Sequence, residues 1–323
     1  MFAGTDFLIV GRAGMDFYPD PPGTRTEEAT RFVSCLGGSS ANIAVALVKQ
    51  GCSAALVTRV SDDAIGRFAL NQLDHYGIDR THVTPVGGEA RNSLAVVESR
   101  IEDHQSVIYR NGAADFEMTV ADVEAARYAG RAALITTGTV FAADPSRTAA
   151  FRAFELAEAA GVPRIFDIDY RPYSWTSPAF AAEVLTCAGE ASDIIIGNDV
   201  EFGFMAGSYD RGLDTARALA RRGKLIVYKM GEKGAITLHG DREEIRTGIY
   251  PTDALKPTGA GDSFMGGFIA ALANGHDLRT AVLRGSASAA MVVARVGCAP
   301  AMPTTADLED FLATHPGPTD PTE

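Results

Sequence analysis

The stretch TGAGDSFMGGF, from Thr258 to Phe268, places one carboxylate, Asp262, directly after three small residues and ahead of an apolar run. A Gly-Ala-Gly backbone turns tightly and approaches a ligand closely, because no long side chain stands in the way. The residues from Asp262 to Ala273 have helical character, so Gly259, Ala260 and Gly261 are predicted at a helix N-terminus. Free N–H groups and the positive end of the helix dipole attract an anion such as phosphate there. An acid beside an anion site is best explained if it accepts a proton.

A second interpretation of this stretch is structural. Asp is among the residues that favour helix N-caps, and Gly266 and Gly267 could serve close helix packing. The position of Asp262 in the chain does not separate a base from a cap, so both interpretations stay open at this point.

Composition excludes several classes of protein. The chain has 323 residues, 46% of them hydrophobic, which suits one large or two modest globular domains. No apolar run approaches the ~20 residues that span a bilayer, and the N-terminus lacks the basic region of a secretion signal. Four widely spaced cysteines without a CxxC pair fit reduced thiols in the cytoplasm. A net charge of −12 argues against nucleic-acid binding, so we expect a cytoplasmic protein with a small-molecule ligand and neither a nucleic-acid nor a membrane partner.

Short apolar runs alternate with helical patterns along the chain. Strands are predicted at Phe7–Val10, Ala55–Val60, Ala133–Thr136, Arg164–Ile168, Asp193–Ile196 and Leu225–Lys229. Helices are predicted at 39–51, 62–77, Pro145–Ala160 and Asp210–Arg222. This alternation predicts an α/β fold of Rossmann-like type, with a mostly parallel central sheet flanked by helices.

Two segments interrupt the alternation, residues 12–36 and 91–112. The second alternates like a pair of antiparallel strands around a polar turn. We expect the two to form one small β-sheet that serves as a lid over the carboxyl ends of the main strands, where open α/β sheets place ligands. Together with this lid, residues 1–316 are predicted as a single domain, and the tail 317–323, GPTDPTE, is predicted to be disordered.

Familiar nucleotide and hydrolase motifs are missing from the sequence. There is no GxxxxGK[ST] loop, no GxSxG elbow and no HExxH helix, and GRAGMD after the first strand has the wrong spacing for GxGxxG. The missing dinucleotide fingerprint disfavours a nicotinamide oxidoreductase.

Polar and small residues recur where predicted strands end. Taken singly, each cluster is ordinary, because loops favour Gly, Asn and Asp. Taken together, all lie at the carboxyl side of the strands, which ordinary loops do not require. The clusters are Asp16; Gly37, Gly38 and Asn42; Asp167, Asp169 and Arg171; Asn198 and Glu201; and Lys229, Gly231 and Gly234.

Two of these segments carry a family resemblance. LGGSSANIA near the N-terminus and TGAGDSFMGGF near the C-terminus resemble the paired signatures of the ribokinase, or PfkB, family of carbohydrate kinases. The order of NDVE, KMGEKGA and TGAGD also matches, so the resemblance covers essentially the whole chain. It implies a ribokinase fold with a small β lid, ATP and Mg²⁺ as cofactors, phosphorylation of a sugar's primary hydroxyl, and a homodimer formed through the lid.

The resemblance also implies residue roles. Asp262 would be the base, and the N–H groups of Gly259, Ala260 and Gly261 would stabilise the transferring phosphoryl group. Sugar hydroxyls would be held by Asp16, Gly37, Gly38 and Asn42. Glu201 would organise magnesium through water, beside the phosphates. The nucleotide would contact Asn198, Lys229, Gly231, Gly234, Thr258 and Gly261.

The segments GRAGMDFYP and DIDYRPYSW narrow the substrate class. They resemble family members that act on ketodeoxy sugar acids, so we expect 5-dehydro-2-deoxy-D-gluconate to be converted to its 6-phosphate. The alternatives are 2-dehydro-3-deoxygluconate, a fructokinase-like sugar, or a sugar-binding regulator without catalysis. Arg171 is predicted to bind the substrate carboxylate with its guanidinium fork, and Arg110 is a second candidate. The alternative for Arg171 is an ion pair with Asp167 or Asp169.

One position departs from the family pattern. The family often has an Asp two residues before the Thr of the TGAGD motif, in a loop where many members bind a monovalent cation through carbonyl groups. This chain has Lys256 there, followed by Pro257. Lys256 could fold inward and replace the ion or point to solvent, so a monovalent cation site is doubtful and we expect little dependence on potassium.

Overall fold

The computed structural model describes residues 2–320 and contains two β-sheets. The larger sheet has nine strands in the order β13-β12-β11-β10-β9-β8-β1-β4-β5. Neighbours from β5 to β11 pair in parallel, whereas β12 and β13 extend the sheet antiparallel. Its strands are β1 (Asp6–Val10), β4 (Ser53–Ser61), β5 (Asp79–Val86), β8 (Ala133–Thr137), β9 (Arg164–Asp167), β10 (Ile194–Asn198), β11 (Leu225–Lys229), β12 (Ala235–His239) and β13 (Ile245–Thr247).

Helices cover both faces of this sheet, which explains why central strands such as β1 are buried on both faces rather than at every second residue. In β1, Phe7 and Ile9 pack into one core and Leu8 and Val10 into the other. The helices are α1 (Ser39–Lys49), α2 (Ala64–His75), α3 (Val120–Glu124), α4 (Ser146–Ala159), α5 (Pro178–Ala191), α6 (Asp199–Met205), α7 (Gly212–Arg221), α8 (Ala260–Ala273), α9 (Leu278–Val293) and α10 (Thr305–Thr314). The predicted α/β class with a mostly parallel central sheet is confirmed.

The small second sheet comes from the two interrupting segments, as predicted. Its order is β3-β2-β6-β7, with β2 and β3 antiparallel, β2 and β6 parallel, and β6 and β7 antiparallel. The strands are β2 (Gly14–Pro19), β3 (Phe32–Gly37), β6 (Leu94–Val97) and β7 (Ser106–Tyr109). Register aligns Asp16, Ala95 and Ile108 on one face, and all three line a large cavity.

Two further predictions concern the tail and the membrane. In the predicted tail, the N–H of Thr319 donates to the carbonyl of Ile249 at 2.8 Å, and the Thr319 hydroxyl accepts from Ile249 N–H at 3.1 Å. Positions 321–323 of that tail lie outside the described residues. Within 2–320, every helix is too short or too polar to cross a bilayer.

Candidate active site

A cavity of about 910 Å³ lies between the carboxyl ends of the main strands and the inner face of the small sheet. It is lined by the loop before α8, the first turns of α1 and α8, and the ends of β9, β10 and β11. Most of the predicted site residues meet here, because the carboxyl ends of parallel strands share one edge of a sheet. Those that line it are Asp16, Gly38, Asn42, Arg171, Asn198, Glu201, Lys229, Gly231, Gly234, Thr258, Gly259, Ala260, Gly261 and Asp262.

Asp262 lies in the first turn of α8 but does not cap the helix. The N-cap is Gly259, whose φ of 88° lies in the left-handed region that glycine adopts without strain. A Cβ on Gly259 would meet the Cys298 Sγ at 2.8 Å, so the turn has no room for a side chain. The Asp262 carboxylate instead accepts a hydrogen bond from Asn42 Nδ2 at 2.9 Å, across from α1. The geometry therefore leaves the first N–H groups of α8 without a side-chain cap, beside a carboxylate that faces the cavity.

The electrostatic surroundings suit Asp262 to proton transfer. Burial raises its pKa to about 7, with a further rise from Asp169, while the Asn42 hydrogen bond and the charges of Arg171 and Arg12 oppose this. A carboxyl group with a pKa near neutrality both accepts and releases a proton at cellular pH.

A second set of carboxylates lies at the ends of β9 and β10. Burial raises the pKa of Asp167 well above its usual range, opposed by the charge of Lys229. For Asp169, burial also raises the pKa, but the charges of Arg171 and Arg12 outweigh it and lower the pKa overall. Asp169 has a φ of 35°, a strained conformation held by its 2.7 Å ion pair with Arg171. Arg171 therefore both forms the predicted ion pair and lines the cavity.

Asn198 and Glu201 form a reciprocal capping box at the start of α6. Asn198 Oδ1 accepts from the Glu201 N–H at 2.9 Å, and Glu201 Oε2 accepts from the Asn198 N–H at 2.8 Å. Glu201 Oε1 also accepts from the Tyr170 N–H at 3.1 Å. Each carboxylate oxygen therefore accepts one backbone hydrogen bond and keeps one lone pair that can accept another. Within residues 2–320, no cluster of three or more His, Cys, Asp or Glu side chains is placed to hold a metal ion.

Two predicted residues lie just outside the cavity. Gly37 pairs with Gly14 of β2. A Cβ on Gly37 would meet Asp16 Oδ1 at 1.9 Å, so the role of this glycine is to make room for that carboxylate. Arg110 is buried against Asp115, donates to the Thr139 carbonyl at 3.0 Å and stacks on a phenylalanine ring. The structure does not bring Arg110 to the cavity wall, because this buried ion pair holds it behind the wall.

Arg12 was not among the site residues predicted from the sequence, yet it lines the cavity beside Asp16. It is 8% exposed, and its Nη1 donates to Ser93 Oγ at 3.4 Å. Among residues 2–320, no acceptor lies within hydrogen-bonding distance of its buried Nε. Its place in GRAGMD, directly after β1, was the available signal. The same reading that selected Asp16 applied equally to the arginine four residues earlier.

A model of the pfkB family carbohydrate kinases matches residues 5–305 of the chain. The chain belongs to the PfkB family of carbohydrate kinases. It is 36% identical, over 96% of its length and 95% of the relative's, to a protein named 5-dehydro-2-deoxygluconokinase from Photobacterium profundum. It is 34% identical to one of the same name from Geobacillus kaustophilus, over 96% and 94% of the two chains.

Solved structures of PfkB and related kinases share the fold. A fructokinase from Vibrio cholerae, in a fructose, ADP and potassium ion bound form, superposes with a TM-score of 0.85 at 24% identity over 97% of this chain and 99% of that one. A PfkB protein from Polaromonas has a TM-score of 0.79 at 28% identity, over 94% and 99% of the two chains. As a PfkB member, the protein is a sugar kinase.

Proposed function

We propose that this kinase transfers the γ-phosphoryl group of ATP to the primary hydroxyl of 5-dehydro-2-deoxy-D-gluconate and releases the 6-phosphate. Four buried polar atoms in the cavity wall lack hydrogen-bond partners among residues 2–320, and one of them, Thr247 Oγ1, lies in β13 beside Gly234. The other three support a sugar acid. They are Arg12 Nε, a donor, and Asn42 Oδ1 and Asp169 Oδ2, both acceptors. Buried polar groups are nearly always satisfied in native proteins, so these atoms are suited to bind a ligand.

The three atoms match the groups of a polyhydroxy acid. Sugar hydroxyls would donate to Asn42 and Asp169, and a carboxylate would accept from the guanidinium of Arg12, aided by Arg171. Asp16 and the backbone of Gly38 would contact further hydroxyls. Two arginines in the wall of a strongly acidic protein favour an anionic substrate over a neutral sugar.

The chemical step uses Asp262 as general base. The hydroxyl oxygen forms a bond to the γ-phosphorus as the bond from that phosphorus to the bridging oxygen breaks. The proton passes to the Asp262 carboxylate, and ADP leaves. The N–H groups of Gly259, Ala260 and Gly261 would stabilise charge on the phosphoryl oxygens. Lys229 would contribute positive charge, because its Nζ lies 3.5 Å from the position of a Cβ on Gly261.

The nucleotide would occupy the part of the cavity between β11, β12 and the loop before α8. Gly231, Gly234 and Thr258 line this part, and Gly234 must be glycine because its φ is 84° and a Cβ would meet the Thr247 carbonyl at 1.9 Å. Hard oxygen donors at Asn198 and Glu201 fit Mg²⁺ held through water and phosphate rather than by a protein cage. Bound Mg²⁺ would neutralise charge on the phosphates.

The test is ADP release by the purified enzyme with a panel of acceptors. We expect the highest kcat/KM for 5-dehydro-2-deoxy-D-gluconate, a lower value for 2-dehydro-3-deoxygluconate and the lowest for fructose. Equal rates on fructose and on the acids would contradict a carboxylate-binding site. Sugar binding without ADP release would support the non-catalytic regulator instead.

We also propose a cytoplasmic homodimer. The four cysteines are free thiols, as expected in a reducing compartment. The outer face of the small sheet exposes Phe32, Val107 and Tyr109, which register places on the side opposite Asp16. An exposed apolar face of this kind is suited to a second copy of the same sheet about a two-fold axis.

A further inference from the structure

Lys256 is a lysine with no exposed surface, at the edge of the anion-binding loop. Its Nζ donates to the carbonyl of Thr258 at 2.6 Å and to that of Val292 at 3.3 Å. Its own N–H donates to the Val293 carbonyl at 3.1 Å. Thr258 directly precedes Gly259, and Val292 lies in the last turn of α9, where carbonyl groups carry partial negative charge.

An ammonium group in such a place requires compensation. Burial lowers the pKa of Lys256, and the acidic groups nearby that oppose this effect include Cys298, Asp262 and Asp16. Backbone carbonyl oxygens around a compact positive charge are the ligands that also bind monovalent metal ions in proteins. A structural lysine would need no carbonyl from the loop that binds phosphate, whereas this one is bonded to the residue from which that loop begins.

We propose that the ammonium of Lys256 is a covalently attached monovalent cation, which holds the carbonyl of Thr258 and so positions the loop Gly259–Gly261. Lys256 is a positioning residue that adds one positive charge beside the transferring phosphoryl group. The proposal rests on the proposed kinase function for its catalytic readout. It implies that removal of the side chain leaves a site of carbonyl oxygens that potassium or ammonium ions can occupy.

The chain offers a matched control in Lys224. Its Nζ also binds two backbone carbonyls, those of Glu190, at 2.7 Å, and Ser192. Lys224 immediately precedes β11 and therefore lies at the amino end of the sheet, opposite the cavity. Any effect of losing a lysine from a pair of carbonyls, without relation to the loop, would appear in Lys224→Ala as well.

The experiment compares the wild type with Lys256→Ala, Lys256→Met and Lys224→Ala, each in potassium, ammonium or tetramethylammonium chloride at matched ionic strength. The readouts are kcat/KM, Tm, and ADP affinity by calorimetry. Wild type and Lys224→Ala should be indifferent to the cation. Lys256→Ala should lose about tenfold in kcat/KM in tetramethylammonium, the order expected when one partly screened charge near the phosphoryl group is removed. Potassium and ammonium should restore its activity, Tm and ADP affinity.

Lys256→Met should lose activity to the same degree without rescue, because its stem fills the space an ion needs. Strong potassium activation of the wild type, or a folded Lys256→Ala that no small cation restores, would overturn the proposal. If Lys256→Ala does not fold in any salt, Lys256→Met decides, since wild-type activity there would exclude a role for the charge. Failure to phosphorylate the named sugar acid would contradict the proposed substrate only, because Tm and ADP affinity require no sugar.

Discussion

At the scale of single residues, the proposed chemical role of Asp262 and its cost to stability arise from the same burial. Its pKa in the folded protein, about 7, lies above its ordinary value of 3.8. The folded state therefore binds a proton more tightly than the unfolded state does. Ionisation of Asp262 lowers the free energy of unfolding as pH rises from about 4 to about 7, and the deficit persists above that range.

Substitution Asp262→Asn should separate these two effects. We expect kcat/KM to fall by at least about 10²-fold, because the amide cannot accept the proton. Thermal melts should show a higher Tm than the wild type at pH 8, with the difference shrinking as pH falls toward 4. A variant that keeps more than about a tenth of wild-type kcat/KM would remove Asp262 from the role of base.

The pH profile of the wild type gives a separate check. Because the proposed base must be ionised to accept a proton, kcat/KM should rise with pH and level off above an apparent pKa near 7. The measurement is steady-state ADP release between pH 5 and pH 9 under saturating ATP, with neighbouring buffers compared at the pH values that they share. A profile that is flat from pH 5 upward would mean that the base titrates elsewhere.

Recognition of a carboxylate can be tested at Arg12 and Arg171. Each substitution to alanine should cost about 1.5–3 kcal/mol in kcat/KM on the acid, or about 10–100-fold, and much less on its neutral analogue. Arg110→Ala is the control, because Arg110 is as buried as Arg12 but does not line the cavity. Its loss should be equal for both substrates. Equal losses from Arg12→Ala on acid and analogue would show that Arg12 only supports the fold.

At the scale of elements, apolar patterning predicted those strands and helices whose hydrophobic residues form a clear run or a clear periodic pattern. It failed for β5, DRTHVTPV, because this edge strand exposes most of its side chains and lacks an apolar run. It also failed for α9, which is buried on nearly all sides and therefore shows no polar face. The site was predictable where motif and strand end coincide. Arg12 was not selected, because an unpaired Nε follows from packing around it rather than from local sequence.

The contact between α1 and α8 positions Asn42 against Asp262. Gly266 allows it, since a Cβ there would meet the Ala46 Cβ at 2.2 Å. Gly266→Ala should push the helices apart and lower stability by about 1–3 kcal/mol, as overpacking does. It should also lower kcat by stretching the 2.9 Å Asn42–Asp262 hydrogen bond. Denaturant unfolding and ADP release provide the measurements.

A matched control is Gly189→Ala in α5. The closest atom to its Cβ would be the flexible Met205 Cε at 3.1 Å, with Ile195 Cδ1 at an ordinary contact distance of 3.5 Å, and alanine favours helix over glycine by up to about 1 kcal/mol. This variant should be as stable as the wild type or more so, with unchanged kcat. If Gly266→Ala behaved in the same way, close approach of the two helices would not determine the geometry of the base.

At the scale of the whole molecule, the strongly negative net charge of the chain contrasts with the cationic side chains in the cavity wall. The chain has a net charge of −12, and the cavity wall sets Arg12, Arg171, Lys229 and Lys256 among carboxylates that include Asp16, Asp169, Glu201 and Asp262. Local positive charge in a concave site attracts anionic ligands even when the rest of the surface repels them. These cations would therefore draw ATP and the proposed sugar acid into the site although the chain as a whole is acidic.

The small sheet would link the proposed dimer to the cavity, because alternate residues of the same strands face opposite ways. In β7, Ile108 lines the cavity while Val107 and Tyr109 are 44% and 61% exposed on the outer face.

We expect Val107→Lys to convert a dimer to a monomer, because a charge cannot be buried unpaired in an apolar interface. Loss of the partner should loosen β2 and β7, so KM for the sugar should rise more than kcat falls. Sedimentation velocity and steady-state kinetics measure both effects, with Tyr209→Lys, at an exposed aromatic beside α7, as the control. A wild type that sediments as a monomer at every concentration would exclude the interface, and a monomeric Val107→Lys with unchanged KM would show that the sheet holds its shape without a partner.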